Sequence, residues 1–367
     1  MKLKKIGKVL LCILLALIVL PGGYLAYLFI DYRRLPDNQV IPVAEVRRTE
    51  PKSLTAGQPY RITSYNVGFG AYSDDYGFFM DGGTESRAFS KDAVYANLNG
   101  ALQAVIDKTP DLMLFQEVDT DGTRSWHVDE SALAVTQLDA AYRDGNLYYC
   151  FARNYDSPYL LYPFTQPHGA NKSGIMTFST FPMERALRRS LPIETGLTRF
   201  LDLDRCYSVS RIPVGEKELA LYNLHLSAYT SDGTIATEQL RMLLEDMQRE
   251  YEAGNWCIAG GDFNKDLLGD SSVYFGAADK SYTWAQPIPP ETFDGVDIRL
   301  AAPFDEAAPV LSCRNADGPY HEGQYVLTVD GFFVSPNVAV AEANVIDTGF
   351  RYSDHNPVCM DFILQDG

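Results

Sequence analysis

The residues best suited to chemistry follow a short apolar segment late in the chain. Residues 256–259 are typical of a strand, and they run into Gly260-Gly261-Asp262-Phe263-Asn264. Asp262 and Asn264 stand two apart, so on an extended backbone their side chains point to the same face. The glycines carry no side chain and would let a ligand approach the backbone closely. A carboxylate beside an amide suits a hydrated cation or a phosphoryl oxygen, although an isolated motif of this kind is more often a turn at a strand end.

Other polar residues also stand where apolar segments stop. Glu117 follows Leu112-Met113-Leu114-Phe115, and His225 lies inside the apolar segment 222–226. Burying ionisable groups in such surroundings is costly unless they are paired or bind a metal. Singly, each has an ordinary structural explanation, such as a hydrogen-bonded histidine in a strand or an aspartate in a turn. A shared site explains them together, and the full set is Asn66, Glu117, His225, Asp262, Asn264, Asp330, Asp354 and His355.

The order and local sequence of these motifs resemble the endonuclease/exonuclease/phosphatase superfamily of metal-dependent phosphoesterases. The resemblance covers about residues 60–364. It implies a four-layer α/β sandwich and the metal-assisted hydrolysis of a phosphate ester. Its strongest parts are Gln116-Glu117, Asn223-Leu224-His225-Leu226, Gly261-Asp262-Phe263-Asn264 and Ser353-Asp354-His355-Asn356-Pro357.

The resemblance implies that Glu117 binds a divalent cation, Mg²⁺ or Mn²⁺, with Asn66 nearby and Asp354 as a further ligand. Oxygen ligands and retained waters suit Mg²⁺. The cation would polarise a phosphoryl oxygen and stabilise developing negative charge. The implied substrate is a phosphate ester, whether a lipid head group, a nucleotide or a nucleic acid.

The same resemblance assigns catalytic roles to five further residues. His355 would accept a proton from the attacking water or hold the phosphate, and Asp330 would orient its imidazole. Asp262 would help to position the nucleophile, and Asn264 would donate a hydrogen bond to the phosphoryl group. His225 would face the phosphate as an acid or an electrostatic clamp, although no acidic partner for it is evident in the sequence. Which histidine is the acid and which is the base stays open.

Weaker candidates for substrate contacts are Asn154, Tyr155, Lys172 and Arg124, and Lys265 beside Asn264 belongs with them. The first three stand where relatives carry groups that orient the phosphate or the acid. For Arg124 and Lys265, the default interpretation is a solvated surface.

The elements that must position these residues are mostly strands. Residues 205–213 and 218–226 flank a Val214-Gly215 turn and predict a hairpin. Many strands with few helices favour two mixed sheets packed face to face, with helices outside, over a doubly wound parallel sheet. The predicted strands are 60–66, 112–115, 148–154, 173–179, 205–213, 218–226, a segment from 256, 324–335, 338–347 and 360–364, and the helices are 91–108, 129–139 and 236–253.

The N-terminus differs from the rest of the chain. Four lysines precede the uncharged residues 9–30, which are long enough to cross a bilayer as a helix. Lysines on the leading side favour a cytoplasmic tip and a domain outside the membrane. A cleaved signal peptide is the alternative, but no clear cleavage site follows and we favour an uncleaved anchor. The predicted divisions are an anchor over 1–34, a linker over 35–58, where no clear periodicity is present, and one catalytic domain over 59–367.

Charge and cysteine content limit the function. The 367 residues carry a net charge of −17, and residues 1–34 carry +5, which leaves −22 on the remainder. A field of that sign repels nucleic-acid phosphates, which lowers the expectation of a nuclease without excluding one. Five cysteines outside the apolar segment, with no C-x-x-C motif, argue against a zinc site and favour buried free thiols.

Together these features predict a divalent-metal-dependent phosphate-ester hydrolase, displayed outside the cell membrane by a single-pass anchor and expected to be a monomer. Within that class, an extracellular DNA or RNA endonuclease is the main alternative. A catalytically silent, membrane-tethered binding module is a second, but a pure binder would not need two histidines and a metal-binding acid.

Overall fold

The structure is a computed structural model, and it describes residues 2–32, 34–193, 204–228, 234–275 and 284–366. Two seven-stranded mixed sheets form its centre. In the first sheet, the strand order is β1-β7-β8-β9-β10-β14-β11, and in the second it is β15-β16-β3-β4-β6-β5-β2. A separate two-stranded ladder pairs β12 with β13.

The strand bounds are β1 Gln39–Ile41, β2 Val43–Val46, β3 Pro59–Asn66, β4 Leu112–Gly122, β5 Leu147–Asp156, β6 Asn171–Ser179, β7 Arg185–Ser190, β8 Cys206–Val214, β9 Lys217–His225, β10 Trp256–Asp262, β11 Arg299–Ala301, β12 Cys313–Arg314, β13 Val326–Leu327, β14 Asp330–Val334, β15 Val338–Val345 and β16 Val358–Leu364. The helices are α1 Lys2–Asp31, α2 Lys91–Ile106, α3 Glu130–Ala141, α4 Thr234–Glu252 and α5 Ser272–Phe275.

Successive side chains of each central strand point to opposite faces of its sheet, so each sheet packs against the other sheet on one face and against helices on the other. In β10, Ile258 faces the other sheet, whereas Cys257 on the opposite face packs beneath α4. In β4, Leu114 joins the core between the sheets and Phe115 packs against α2 and α3. Because both faces of these strands are buried, the helices must cover the outer faces of both sheets. The predicted four-layer sandwich is confirmed.

The predicted helices and the hairpin are present with small shifts at their ends. The Ser90 side chain accepts a hydrogen bond from the Ala93 amide, which caps α2, and Asp129 caps α3 in the same way. Strands β8 and β9 pair antiparallel across a turn at residues 215 and 216. The single strand predicted over 324–335 is instead divided into β13 and β14.

The predicted linker is not free of regular structure. Residues 39–41 pair with β7 at one edge of the first sheet, and residues 43–46 pair with β5 at one edge of the second. The segment 35–58 therefore adds an edge strand to each sheet, and neither of these short strands was predicted.

The N-terminal helix α1 is long and apolar enough to cross a membrane. It continues through Pro21 without interruption. All six cysteines are free, and four of them are buried, as expected.

Candidate active site

The predicted residues meet at one edge of the sandwich because of how the strands pair. Asp262 ends β10 and lies in register with His225 of the parallel strand β9. Asp330 begins β14, which runs antiparallel to β10, so it is paired with Asp262 on the other side. In the second sheet, Asn66 ends β3 beside the end of the apolar part of β4. The ends of strands from both sheets thus lie around one pocket of about 140 Å³.

His355 and Asp330 form a buried pair in this pocket. The Nδ1 atom of His355 lies 2.7 Å from Oδ2 of Asp330, and the Ser312 hydroxyl donates to the same oxygen at 2.8 Å. Burial alone would lower the pKa of His355, but the charge of Asp330 and this hydrogen bond raise it well above the ordinary value. The surroundings therefore favour the protonated form of His355.

Asp262 joins the two sheets at the centre of the site. Its Oδ2 accepts a hydrogen bond from the Asn66 side-chain amide at 3.0 Å and lies 3.8 Å from Nε2 of His355. Burial raises the pKa of Asp262 to about 7, against the opposing effect of the positive charge on His355. A carboxyl group with a pKa near 7 can exchange a proton at physiological pH.

His225 finds its acidic partner in Asp262, which the sequence did not reveal. Its Nε2 lies 3.3 Å from Oδ2 of that carboxylate, while Nδ1 is buried without a hydrogen-bond partner. Burial and the positive charges of Arg205, His355 and Arg124 lower the pKa of His225 well below its ordinary value. The contact is therefore a close approach of a buried imidazole to a buried carboxylate, in surroundings that disfavour the charged form of the histidine. The strand pairing that creates it brings together residues 37 positions apart, and no local motif records this.

Glu117 enters the pocket from an irregularity in β4. The register between β4 and β6 shifts between Phe115 and Val118, and Glu117 adopts a left-handed backbone conformation with a φ of 55°. Such bulges redirect a side chain beside active sites. The Asn66 amide donates to Oε1 of Glu117 at 3.2 Å, and the partly exposed Asp354 also lines the pocket. Burial raises the pKa of Asp354, against the opposing effect of the positive charges of His355 and Arg314.

These oxygens fit a hard divalent cation. Glu117 and Asp354 line one pocket, and the negative charge of Glu117 contributes to the raised pKa of Asp354. A cation between them would offset the repulsion between the two carboxylates. A second group, Asp262, Asp330 and His355, has potential ligand atoms within 4.8 Å of one another. In that group Asp330 and His355 already bond to each other, so we assign it to proton handling.

Asn264 lines the pocket, but most of the hydrogen-bonding capacity of its side chain is taken up within the protein. Its Nδ2 donates to the Leu226 carbonyl and its Oδ1 accepts from the Trp284 indole, each at 2.9 Å. One amide hydrogen is left for the phosphoryl contact that we predicted, and the left-handed backbone at Asn264 fixes the side chain in place.

The structure divides the weaker candidates into two groups. Arg124 and Tyr155 line the pocket, with the guanidinium 5.5 Å from the centre of the tyrosine ring. Asn154 is buried next to Tyr155 but does not line the pocket, and Lys172 is half exposed, 4.0 Å from Asp121.

The expectation that Arg124 and Lys265 lie on a solvated surface is wrong, because both are buried. Arg124 is held by two hydrogen bonds to Asp119, from Nη2 at 2.8 Å and from Nε at 3.1 Å. Its guanidinium also lies 3.9 Å from the centre of the Phe69 ring. This buried pair holds the arginine at the pocket wall, and no property of residue 124 alone indicates it.

Sequence reasoning missed two other arginines and a histidine in the pocket. Arg205 and Arg314 are buried and line it with Arg124. The Arg314 guanidinium donates to the carbonyls of Ser73 and Tyr76, so it also fixes the loop before α2. His168 is buried, and its pKa is lowered to about 4, mainly by burial. The only available signal was that His168 and Arg314 stand in locally uncharged segments, whereas Arg205 directly follows Asp204.

The pocket therefore combines acids with three buried arginines in a protein of strongly negative charge. Carboxylates that suit a cation lie beside guanidinium groups that suit an anion. This arrangement can hold an anionic group next to a metal ion and offers Asp262 and His355 for proton transfer or charge stabilisation.

Comparisons with known proteins agree with this geometry. Residues 63–355 match the model of the Endonuclease/Exonuclease/phosphatase family. No curated protein matches the chain in sequence.

Several solved structures share the fold at low sequence identity. An endonuclease/exonuclease/phosphatase from Beutenbergia cavernae is 16% identical, with a TM-score of 0.56 over 84% of this chain and 72% of that one. A family protein from Leptotrichia buccalis is 14% identical, with a TM-score of 0.54 over 83% and 99%. ANGEL2, described as a 2',3'-cyclic phosphatase in complex with adenosine-2',3'-vanadate, is 14% identical, with a TM-score of 0.53 over 89% and 100%.

Proposed function

This chain belongs to the endonuclease/exonuclease/phosphatase family, and we propose that it hydrolyses a phosphate ester with the help of Mg²⁺ or Mn²⁺. One observation supports this most strongly. Asp262 contacts both histidines of a pocket whose walls also carry Glu117 and Asp354. A binding surface alone would not require ionisable groups to be buried in this way, because each is costly to desolvate.

Glu117 and Asp354 would hold the cation, with the amide of Asn66 orienting Glu117. A bound Mg²⁺ would neutralise charge on the phosphoryl oxygens. Asn66 itself is held by the Gly68 amide, which donates to its Oδ1 at 3.0 Å. That bond leaves Nδ2 directed at both Glu117 and Asp262, so one side chain links the metal-binding acid to the proposed base.

Asp262 is the proposed base for the attacking water. Its pKa of about 7 lets it accept a proton at neutral pH. The carboxylate is kept in place by the backbone amide of Asn264, which donates to Oδ1 at 2.9 Å. His355, charged by its contact with Asp330, would stabilise the phosphate rather than accept the proton. Arg124, Arg205 and the neutral His225 would complete the anion-binding wall.

We further propose that α1 anchors the protein in the cell membrane, with residues 59–367 as a monomeric catalytic domain on the outer side. The length and apolar character of α1 support the anchor, and the lysines before its apolar part support the orientation. The acidic surface supports a lipid or small phosphate ester over a nucleic acid, since it repels a polyanion.

A direct test is to assay the full chain in detergent with Mg²⁺, Mn²⁺ or EDTA. The substrates are bis(p-nitrophenyl) phosphate, p-nitrophenyl phosphate, plasmid DNA and phospholipid micelles. We expect turnover of at least one ester with either cation and its loss in EDTA. Folded protein that turns over none of them would point to a silent binding module, and equal turnover in EDTA would remove the metal from the proposal.

A further inference from the structure

A large apolar cleft lies beside the catalytic pocket. It has a volume of about 770 Å³, within the range of ligand sites, and it is lined almost entirely by apolar side chains. Met80, Tyr155 and His168 line both the pocket and the cleft, so the two cavities are adjacent. A ligand could therefore place one end at the catalytic residues and the other in an apolar environment.

One wall of the cleft is the proposed membrane anchor. Leu20, Tyr24 and Leu28 of α1 line it, facing the segment 160–164. Tyr24 lies seven residues before Asp31, or about 10 Å along the helix from that charged residue. If α1 crosses a bilayer, this part of the helix lies near the membrane surface, and the cleft lies at the same depth.

Hydrogen bonds hold the opposite wall against α1. The Tyr24 hydroxyl donates to the Tyr159 carbonyl at 3.1 Å and accepts from the Leu161 amide at 3.0 Å. The Tyr27 hydroxyl accepts from the Tyr159 amide at 2.8 Å. These bonds satisfy backbone groups that would otherwise be costly to bring into an apolar environment.

The same segment exposes apolar side chains that a water-facing surface does not need. Phe164 is 81% exposed and Tyr162 is 62% exposed, and Met80 on the facing loop is 49% exposed. Aromatic side chains of this kind favour the interface between water and lipid. The exposed patch and the helix wall lie on the same side of the molecule, because both line the cleft.

We propose that the substrate is a lipid phosphate ester taken from the membrane, with its acyl chain in the cleft and its phosphate in the catalytic pocket. This inference rests on the proposed function and specifies its substrate class. In the reaction, the oxygen of water adds to phosphorus and one phosphorus–oxygen ester bond breaks. One proton of the water passes to a base, and the departing oxygen takes up a proton, so no further reactant is needed.

The test uses the full chain reconstituted into vesicles of phosphatidylcholine, phosphatidylethanolamine and phosphatidylglycerol. Phosphorus NMR measures hydrolysis of these lipids and of six-carbon-chain versions of the same lipids, and absorbance measures bis(p-nitrophenyl) phosphate. We expect the wild type to prefer at least one long-chain lipid over its short-chain version by tenfold or more in kcat/KM. Burial of a few methylene groups is sufficient for a preference of about that size.

The variant that tests the cleft is the double substitution Leu161→Asp and Phe164→Asp, at two side chains exposed enough to change without loss of the core. It is expected to lose most of the long-chain preference, and Leu161→Met with Phe164→Leu is expected to keep it. The matched control is Val40→Asp, which adds a charge at an apolar side chain 75% exposed on β1 and is expected to change neither rate.

The outcomes separate this inference from the proposed function. Turnover of bis(p-nitrophenyl) phosphate without turnover of any vesicle lipid overturns the lipid inference and leaves the hydrolase. Equal losses on long-chain and short-chain substrates in the double aspartate variant also overturn it, since the cleft would then have no role in lipid selection. If neither the soluble ester nor the lipids are hydrolysed, the proposed function fails and the lipid inference fails with it.

Discussion

Asp262 lies between two histidines whose pKa values are shifted in opposite directions. On one side, His355 also contacts a second acid, Asp330, and the pKa of His355 is raised. On the other side, burial lowers the pKa of His225, and the nearby positive charges of Arg205, His355 and Arg124 lower it further. Both imidazoles are buried and both approach the same carboxylate oxygen. The charge of each histidine is thus set by its remaining neighbours, not by the shared acid.

Removal of His355 is expected to have the largest effect. His355→Ala should lower kcat by about 10²- to 10⁴-fold, the range for the loss of a residue that assists proton transfer or charge stabilisation. The assay is hydrolysis of bis(p-nitrophenyl) phosphate at saturating Mg²⁺. His321→Ala, at an exposed histidine, is the control and should retain full activity. Unchanged turnover in His355→Ala would mean that the charged side of the pocket is not the catalytic one.

Loss of a positive charge on the other side should mainly affect stability. Arg124→Met breaks the buried pair with Asp119 and leaves that carboxylate without its partner. We expect the free energy of unfolding to fall by about 3–5 kcal/mol, measured by urea denaturation. Arg241→Met removes an arginine from an exposed pair with Glu245 and should change stability by about 0.5 kcal/mol or less. Similar losses in both variants would contradict a special role for the buried pair.

The two sides also differ in how far the sequence predicts them. Asp330 begins β14 and His355 lies in the segment before β16, and both belong to motifs that resemble a known family. Arg124 and Arg314 instead depend on partners that only the folded chain supplies, Asp119 for the first and loop carbonyls for the second. A buried arginine and a solvated one look alike in sequence.

The same reasoning explains why the strands within the linker, β1 and β2, were not predicted. Strands β1 and β2 contain three and four residues, too few to show an alternating pattern. Backbone hydrogen bonds to existing edge strands hold them, and these bonds do not depend on side-chain type. The layers of the sandwich could be predicted because each central strand buries both faces, whereas the edges could not.

Substitution of Glu117 is expected to have the next smaller effect, and it should act on cation binding rather than on the histidines. Glu117→Gln keeps the shape of the side chain but removes its charge, so the Mg²⁺ concentration for half-maximal activity should rise by at least about tenfold. Mn²⁺ binding followed by electron paramagnetic resonance should weaken in parallel. Glu184→Gln, at an exposed acid, should change neither measurement. Weaker activity with unaltered Mn²⁺ binding would place the cation elsewhere, for example at Asp262 and Asp330.

The smallest expected effect is also the most direct test of the two-sided pocket. Below pH 6.5 an unfolded chain protonates His225 but the folded protein does not, because its folded pKa is depressed; folding therefore weakens as the pH falls. His355 has a raised folded pKa, so its stabilisation is fully present below pH 6.5 and is lost as the pH rises through that folded pKa. Each effect approaches about 1.4 kcal/mol per pH unit within its own window.

His225→Gln and His355→Gln separate these two contributions in urea denaturation with EDTA present. Relative to the wild type, His225→Gln should gain stability as the pH falls from 6.5 to 5. His355→Gln should instead lose stability relative to the wild type as the pH falls toward 6.5 from the alkaline side. If both variants shift in the same direction over the same pH range, the two histidines share one charge state, and the distinction between the acid-paired and the arginine-flanked side of the pocket is wrong.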